Sequence, residues 1–539
     1  LTKAETVFPA VQPKTAVFST SAVESLNFDG QKLPYRGIYF ISAANGALLA
    51  EKLRRDLDNL AGTGFEPGKF PAAADILQSE RLVIDFGTPD ELKSRMLKAL
   101  QAFESKSPAA WQAMMAQGVY RGSGKAGKTA FLFPGQGSQY LNMLKDLCEH
   151  EPIAASTFAE ADQIMQSLLG RTLSSYIFTD AEGDAQKSAE EALRDTAITQ
   201  PAMLTANVAL LRLLKAFGYE PDLVIGHSLG EYAALVAAGV LEFHEALEIV
   251  SARGREMKKV SVADNGGMVA VSAPLADVQK IVAEISEYVV IANINSPLQC
   301  VVGGSTAGIH AALQAFEQAG FQATQIPVSH AFHTKIVEPA AEPLKQVIAR
   351  MSLRSPRIPV VANVTGQLYP QDRDQILELL GRQVASPVQF IRGVETLYAE
   401  GVRTFVEVGP KRVLNSLASD ILKSKTDVTI LATNHPRKGS LTSFNEALCG
   451  LLAAGVIPGG NSGQASALPA VEMTGQDKLA VPAVAEASLS GKGISGSVVI
   501  SGAGLGLPGK NLPVFADDNI DRILNGEIRI EPLPPDLRQ

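Results

Sequence analysis

The sequence predicts an α/β protein built around a mostly parallel sheet, with a smaller α/β unit ahead of it. Three observations carry this. Strand-like and helix-like segments alternate from about residue 129 to 455, the pattern of a parallel sheet crossed by helices. Within that span, residues 267–328 run β-α-β-β-α-β, the order of a ferredoxin-like insert. The stretch Val224-Ile-Gly-His-Ser-Leu-Gly-Glu-Tyr232 turns from a β-branched run into an Ala/Leu-rich helical one between two glycines, a strand-to-helix bend. At 539 residues the chain has room for three or four structural units.

Residues 1–35 show no sustained period and read as a linker. The first ordered unit, 36–125, opens with the strand Gly37-Ile-Tyr-Phe-Ile-Ser42 and a helix over 48–60. Residues 81–85 form a second strand, and Thr88-Pro-Asp-Glu91 starts a helix with an N-cap, a proline at the first helical position and a capping box. The Gly/Lys-rich stretch 121–128 is expected to end this unit. Thr129-Ala-Phe-Leu-Phe133 is the first strand of the main unit, 126–455. Its insert is expected as strand 268–271, helix 275–285, strands 289–293 and 299–302, helix 306–320 and strand 323–328. Glycine, serine, alanine and proline dominate 456–495, a flexible-linker composition. Residues 496–539 begin a strand at Val498 and stop before a further domain is complete.

Composition narrows the function. A net charge of −8, from 48 Lys+Arg against 56 Asp+Glu with no long basic run, argues against nucleic acid as the main partner. An anionic substrate therefore needs a local basic site. Cys148, Cys300 and Cys449 lie far apart with no C-x-x-C pair, which excludes an ordinary disulfide framework or thiolate zinc site and points to a reducing, cytoplasmic setting. No apolar stretch is expected to span a membrane, and the opening Leu1-Thr2-Lys3, without an initiating Met or a signal pattern, reads as part of something larger. Gly122-Ser-Gly-Lys-Ala-Gly-Lys-Thr129 matches the P-loop pattern letter for letter, yet a P-loop needs a helix after it, and here a strand follows that Pro134-Gly135 stops. A near match at 504–511 lacks the Ser/Thr.

Ser228 and Glu231 form S-x-x-E, so the serine has two readings: a helix cap, or the nucleophile of a G-x-S-x-G elbow. The motif alone leaves both open. Acyl transfer through a serine needs an oxyanion site, a base and a group that recognises the acyl unit. Phe133-Pro-Gly-Gln-Gly-Ser-Gln139 is a Gly-rich turn straight after a strand; it is either a plain tight turn or a loop whose N–H groups face an oxyanion together with the Leu229 amide. Ser329-His-Ala-Phe-His-Thr334 offers His330 and His333, one as general base and the other as structural. No carboxylate or third histidine stands at a helpful spacing, so no metal site is expected. His227 is a packing or hydrogen-bonding residue, because neighbours on a bend point apart. On the helix over 242–259, Phe243, Leu247, Val250, Gly254 and Met257 make the buried stripe, and Arg253 lies ~60° from Val250 at its edge, with Arg255 on the polar side. An arginine there either pairs with a protein carboxylate or awaits a substrate one. Arg382-Gln-Val-Ala-Ser-Pro-Val-Gln-Phe390 contains a Ser-Pro break that leaves a carbonyl free to orient the histidine.

Taken in order, G-Q-G-S-Q, G-H-S-L-G-E, an arginine 25 positions after the serine, H-A-F-H and Q-V-A-S-P-V resemble the malonyl-CoA:acyl carrier protein acyltransferase family, in the form embedded in type I polyketide, fatty-acid and polyunsaturated-fatty-acid synthases. The resemblance covers about 129–455. It implies an α/β-hydrolase-like core with a ferredoxin-like insert. It also implies Ser228 as nucleophile, His333 as base, the Gln136 and Leu229 amides as oxyanion hole, and Arg253 as clamp for the malonyl carboxylate. Gln383 marks the segment whose backbone carbonyl orients His333 in place of a triad acid. Phe332, Leu229 and His330 are implied in acyl selectivity, malonyl over methylmalonyl. The implied chemistry is ping-pong, from malonyl-CoA to Ser228 and then to the phosphopantetheine thiol of an acyl carrier protein, with no bound cofactor. The implied partners are that carrier and the other domains of a megasynthase.

Residues 36–125 resemble the α/β linker that precedes such domains, and 496–539 the truncated start of a ketosynthase, without its catalytic Cys and His residues. The order departs from the usual layout, in which the ketosynthase comes first, and no D-S-L carrier motif lies between the two. Two other readings compete: a serine thioesterase or esterase of the α/β-hydrolase class, which usually brings Asp or Glu to its histidine and needs no carboxylate clamp, and a scaffold whose acyltransferase has decayed. Intact Ser228, Arg253 and His333 speak against the second.

Overall fold

The computed structural model describes residues 32–60, 71–105, 107–260 and 262–459. The expected linker over 456–495 (beyond Gly459), the ketosynthase-like segment and the 504–511 motif lie outside them. The strands are β1 (Gly37–Ala43), β2 (Glu80–Phe86), β3 (Val119–Ser123), β4 (Lys128–Phe133), β5 (Leu223–Gly226), β6 (Gly267–Ser272), β7 (Val289–Ser296), β8 (Gln299–Gly304), β9 (Gln322–Ile326), β10 (Val360–Val361), β11 (Val388–Gln389), β12 (Val402–Glu407) and β13 (Thr429–Ala432).

The central sheet has the order β10-β5-β4-β12-β13, and every neighbouring pair in it is parallel. Parallel strands are covered by helices on both faces and so need apolar side chains on both. The sequence supplies them: Thr129 to Phe133 of β4 and all of β5 are buried. Chain order explains the function of this layout. From β4 the chain moves outward through β5 to β10, then returns to the other side of β4 for β12 and β13. Loops leaving the carboxyl ends of β4, β5 and β12 therefore crowd together where the direction of winding changes, the usual place for a ligand site in such sheets.

Most of a separate sheet, β11-β7-β8-β6-β9, is made between β5 and β10; in it β7, β8, β6 and β9 pair antiparallel and the later strand β11 adds to β7 in parallel. Helices Leu275–Glu284 and Thr306–Gln318 cover its buried face, where Val269, Val271, Val278, Val302, Ile309 and Phe316 pack. Strands and helices fall within a few residues of their expected positions.

The N-terminal unit is a three-stranded antiparallel sheet, β1-β2-β3. Its third strand adds detail to one expectation. Residues 121–123, the start of the Gly/Lys-rich stretch at the end of the unit, complete its sheet, and the P-loop lookalike is divided between β3 and β4 with no helix after Thr129. A Cβ at Gly122 would lie 1.7 Å from the Ala453 carbonyl oxygen, so this glycine serves the close approach of helix Ser440–Ala453, not a phosphate. Buried Arg81 donates to that carbonyl at 2.8 Å, and buried Asp85 accepts from Asn445 of the same helix at 2.7 Å and from Arg36 and Arg95. The expected linker also ends earlier than residue 35. Lys32 pairs with Glu151 at 2.9 Å, and the Tyr35 ring packs between Phe217 and Phe444.

A second correction concerns membrane-spanning length. Helix Thr196–Ala216, with 21 residues and an 18-residue window of mean hydropathy 1.2, is long and apolar enough by composition, but 89% of that window is buried inside the protein. Thr199, Gln200, Thr205 and Asn207 interrupt the apolar run in the sequence, yet each is buried and hydrogen-bonded within the fold. It is the central core helix, packed on helices Phe243–Lys259 and Pro152–Leu169.

Candidate active site

The bend after β5 places Ser228 at φ +51°, in the left-handed region that costs a residue with a Cβ roughly 1–2 kcal/mol. Its flanking glycines are required by contact. A Cβ on Gly226 would lie 2.0 Å from the Gly230 carbonyl carbon, and one on Gly230 would lie 1.9 Å from the Phe133 carbonyl oxygen. Asn363, just past β10, holds the strained turn from the side: its Oδ1 accepts from Ser228 N at 2.6 Å and its Nδ2 donates to Gly226 O at 2.7 Å.

The helix-cap reading of S-x-x-E does not describe this geometry. Ser228 Oγ is 2.6 Å from His333 Nε2, and the Glu231 carboxylate, fully buried, accepts from Asn363 N (2.9 Å), Tyr369 Oη (2.8 Å) and Gln383 Nε2 (2.9 Å). Burial raises its pKa to about 7 against these hydrogen bonds. Glu231 thus braces two groups that hold the elbow, Asn363 and Gln383, a role the motif does not reveal. Glu231→Gln is isosteric but sets an amide N–H₂ against donors. It is expected to destabilise the protein by about 2–4 kcal/mol, read from denaturant unfolding.

His333, also at positive φ (+60°), is 4% exposed. Its Nδ1 lies 3.2 Å from Gln383 O and 3.0 Å from Ser386 O. Carbonyl oxygens only accept, so Nδ1 carries the proton and Nε2 presents a lone pair to the Ser228 hydroxyl. Both carbonyls belong to the segment at the end of helix Arg373–Gln383 and the Ser-Pro break after it. Burial first, then the Arg253 and His227 charges, push the imidazole pKa down to about 3, which keeps the ring neutral.

Arg253 is 1% exposed. Nη1 donates to Gln200 Oε1 at 3.0 Å and Nη2 to Gln383 Oε1 at 3.4 Å, while Nε has no hydrogen-bond partner among the described residues. Burial lowers its pKa, and the nearby Tyr232 and Glu231 raise it in part. A buried guanidinium held by neutral side chains, with no carboxylate in ion-pair contact among the described residues, is placed to receive an anion. The same Gln383 side chain donates to Ser228 O at 2.8 Å, so one glutamine separates Arg253 from the elbow. Gln200 continues the chain in the other direction, donating to Thr196 Oγ1, whose hydroxyl donates to Gln136 Oε1, each at 3.0 Å.

Gln136 stands in the turn after β4, against the elbow: a Cβ on Gly135 would meet His227 O at 2.5 Å and Leu229 N at 3.4 Å. Among the described residues neither the Gln136 nor the Leu229 N–H has a backbone or side-chain acceptor. Two free donors flanking a serine can receive a developing oxyanion. The Leu229 side chain is 2% exposed in the main core.

The remaining histidines face elsewhere. His227 lies 2.8 Å from Asn295 Oδ1 and edge-on to Phe390. His330 uses both nitrogens, Nε2 on Val260 O and Nδ1 on Ser329 Oγ, each at 3.1 Å. Phe332 is half-buried between two core clusters, its ring centroid 6.5 Å from that of His330. Sequence reasoning read Glu231 only as a capping-box residue and missed Asn363 and Gln200. Only the polarity of these two inside apolar or strand-end stretches marked them.

Residues 130–453 match the family model described as acyl transferase domain. The chain is 41% identical over 299 residues to the malonyl CoA-acyl carrier protein transacylase of Bacillus subtilis, covering 54% of this chain and 90% of that protein. It is 32% identical over 409 residues to the spectinabilin polyketide synthase system protein NorB of Streptomyces orinoci, covering 74% of this chain and 18% of the synthase. Among solved structures, the acyltransferase domain from the second module of the salinomycin polyketide synthase is similar with a TM-score of 0.60 and 30% identity, over 78% of this chain and 94% of that one. A malonyl-transacylase in complex with its type II polyketide acyl-carrier protein is similar with a TM-score of 0.53 and 34% identity, over 59% of this chain and 99% of that one. A matched model over more than half of the chain, together with this set of side chains, places the chain in the acyl transferase domain family.

Proposed function

We propose that the protein transfers a malonyl unit from CoA to the phosphopantetheine thiol of an acyl carrier protein, through an ester on Ser228. The observation that carries this is the buried Arg253, with no carboxylate in ion-pair contact among the described residues, one glutamine away from the Ser228–His333 pair. Ser228 Oγ attacks the thioester carbonyl while His333 Nε2 takes its proton, and the carbonyl oxygen gains negative charge between the Gln136 and Leu229 N–H groups. Collapse of the tetrahedral species breaks the C–S bond, and the imidazolium returns the proton to the departing CoA thiolate. The carrier thiol then repeats the sequence in reverse, giving His333 its proton, taking the malonyl group and restoring the serine. Nδ1, held by two carbonyls instead of a carboxylate, fixes the tautomer throughout.

The similarity to transacylases and synthase acyltransferase domains supports this reading. In the same reading, 126–455 is an α/β-hydrolase-like core, β6–β9 a ferredoxin-like insert with the order β7-β8-β6-β9, and 36–125 the α/β linker domain of a larger cytoplasmic synthase. Phe332 and Leu229 set malonyl over methylmalonyl, a choice of one methyl and about 1–3 kcal/mol.

Mass measurement of the intact chain after exposure to malonyl-CoA tests the assignment. A stable gain of one malonyl group that Ser228→Ala abolishes is the expected result. Free malonate released faster than a carrier protein is loaded would make the protein a hydrolase, and no adduct would make it inactive.

A further inference from the structure

The loop after β12, Gly409-Pro-Lys-Arg412, leaves the central sheet beside the loop after β4, and Lys411 in it is unusual in two ways. It has φ +64°, the left-handed region that favours glycine, so its side chain is kept at a backbone cost. The residue is also half-buried, which lowers its pKa, and its ammonium donates to the carbonyl of Gly137 at 2.9 Å in a solvent-exposed contact. The backbone that carries it is fixed. Lys411 N donates at 3.0 Å to Asn434 Oδ1, which also accepts from Tyr140 Oη at 2.9 Å.

Gly137 itself is exposed and stands at φ +100° with open space where a Cβ would go, so packing does not fix its carbonyl, although Gly135 and Ser138 on either side are buried. Its order comes from polar contacts: Gly137 N donates to Gln139 Oε1 at 2.7 Å, Gln136 Oε1 accepts from Thr196, and Gly137 O accepts from Lys411. Of these three, only the lysine brings a full charge and comes from a different strand of the sheet.

We propose that Lys411 is a positioning residue for the oxyanion loop, its ammonium holding the Gly137 carbonyl and with it the turn that presents the Gln136 N–H. This rests on the assignment of Gln136 to the oxyanion hole made above. A strained, half-buried lysine is retained because a preorganised donor needs no rearrangement as charge develops. The contact is to a backbone carbonyl, so the lysine acts through the loop and not on the substrate.

The test uses Lys411→Gly and Lys411→Asn, both of which tolerate the left-handed backbone and neither of which reaches Gly137. The readout is the rate of Ser228 acylation by malonyl-CoA and, separately, by p-nitrophenyl acetate, which needs the nucleophile and oxyanion hole but no carboxylate clamp. Both variants are expected to acylate about tenfold more slowly with either donor, less than the hundredfold or more that loss of a direct oxyanion donor costs. KM is expected to stay within about twofold, thermal stability to be equal or higher for the glycine variant, and Lys411→Arg to recover most of the rate. Unchanged rates in both variants overturn the proposal. So does a loss confined to malonyl-CoA, which would make Lys411 a contact for the thioester. If malonyl-CoA acylates no form of the protein while the ester rate still falls, the malonyl assignment fails and the positioning role stands.

Discussion

Replacing Arg253 with alanine is expected to lower kcat/KM for malonyl loading by roughly 10²–10³ and to turn the enzyme toward uncharged acyl groups such as acetyl. The magnitude follows from what the guanidinium touches. Its two primary contacts are neutral glutamine oxygens at 3.0 and 3.4 Å, and among the described residues its Nε has no hydrogen-bond partner. Charge-assisted hydrogen bonds contribute about 1.5–3 kcal/mol each, and a bidentate carboxylate makes two. Some of that is offset because Gln383 must release or share one N–H, so the full sum is not expected. An acetyl group gains nothing from the arginine, and without it the cavity no longer holds a buried charge that an uncharged acyl leaves unpaired. Competition between malonyl-CoA and acetyl-CoA for Ser228, read as the mass of the ester, measures the change. An unaltered ratio of the two esters in Arg253→Ala would remove the clamp from the mechanism. A lysine in its place is not an adequate substitute, since one ammonium cannot keep both glutamines and a carboxylate in plane, and Arg253→Lys is expected to recover little of the selectivity.

What the sequence made legible is what depends on local pattern. Gly226 and Gly230 identify the elbow because no residue with a Cβ fits either place, and a β-branched run ahead of an Ala/Leu-rich one fixes where the strand ends. Arg253 is placed at the edge of its buried stripe by helical period alone. Spacing could not say whether a protein carboxylate awaited it, since its partners Gln200 and Gln383 are 53 and 130 positions away. S-x-x-E has the same letters whether the glutamate caps a helix or, as here, lies fully buried against Asn363, Tyr369 and Gln383. His330 and His333 are alike on paper, and only the fold turns one to Ser228 and the other to Val260. The P-loop lookalike shows the converse: a perfect string without its strand and helix has no chemistry. Glu407 was likewise invisible, a strand-end carboxylate that accepts from Asn415 N at 2.7 Å and so caps a helix whose own N-cap position, Arg412, offers no side-chain acceptor.

Removal of the imidazole in His333→Ala is expected to lower the rate of Ser228 malonylation by about 10³–10⁴, the range for loss of a general base from a serine pair. The pH dependence is the sharper test, because two groups in the site are displaced in opposite directions. His333 is pushed down to about 3, so the acid limb that an ordinary histidine would give near pH 6.5 is expected to be missing, with the base still neutral at pH 5. Glu231 is raised to about 7, as is Glu407, and a change in rate near neutrality that arises from Glu231 should disappear in Glu231→Gln. Stability follows the same signs. For His333 the folded value lies below the unfolded one of about 6.5, so the unfolded chain gains a proton first and stability falls as pH drops from 6.5 toward 3. For Glu231 the folded value lies above its unfolded one, so stability rises as pH falls from about 7 toward 4.5, partly hiding the histidine. Denaturant unfolding of wild type and His333→Ala over pH 4–7 separates the two. Wild type is expected to lose stability relative to the variant as pH falls, and parallel curves would mean that His333 titrates normally and is not the buried neutral base that the two carbonyls on Nδ1 require.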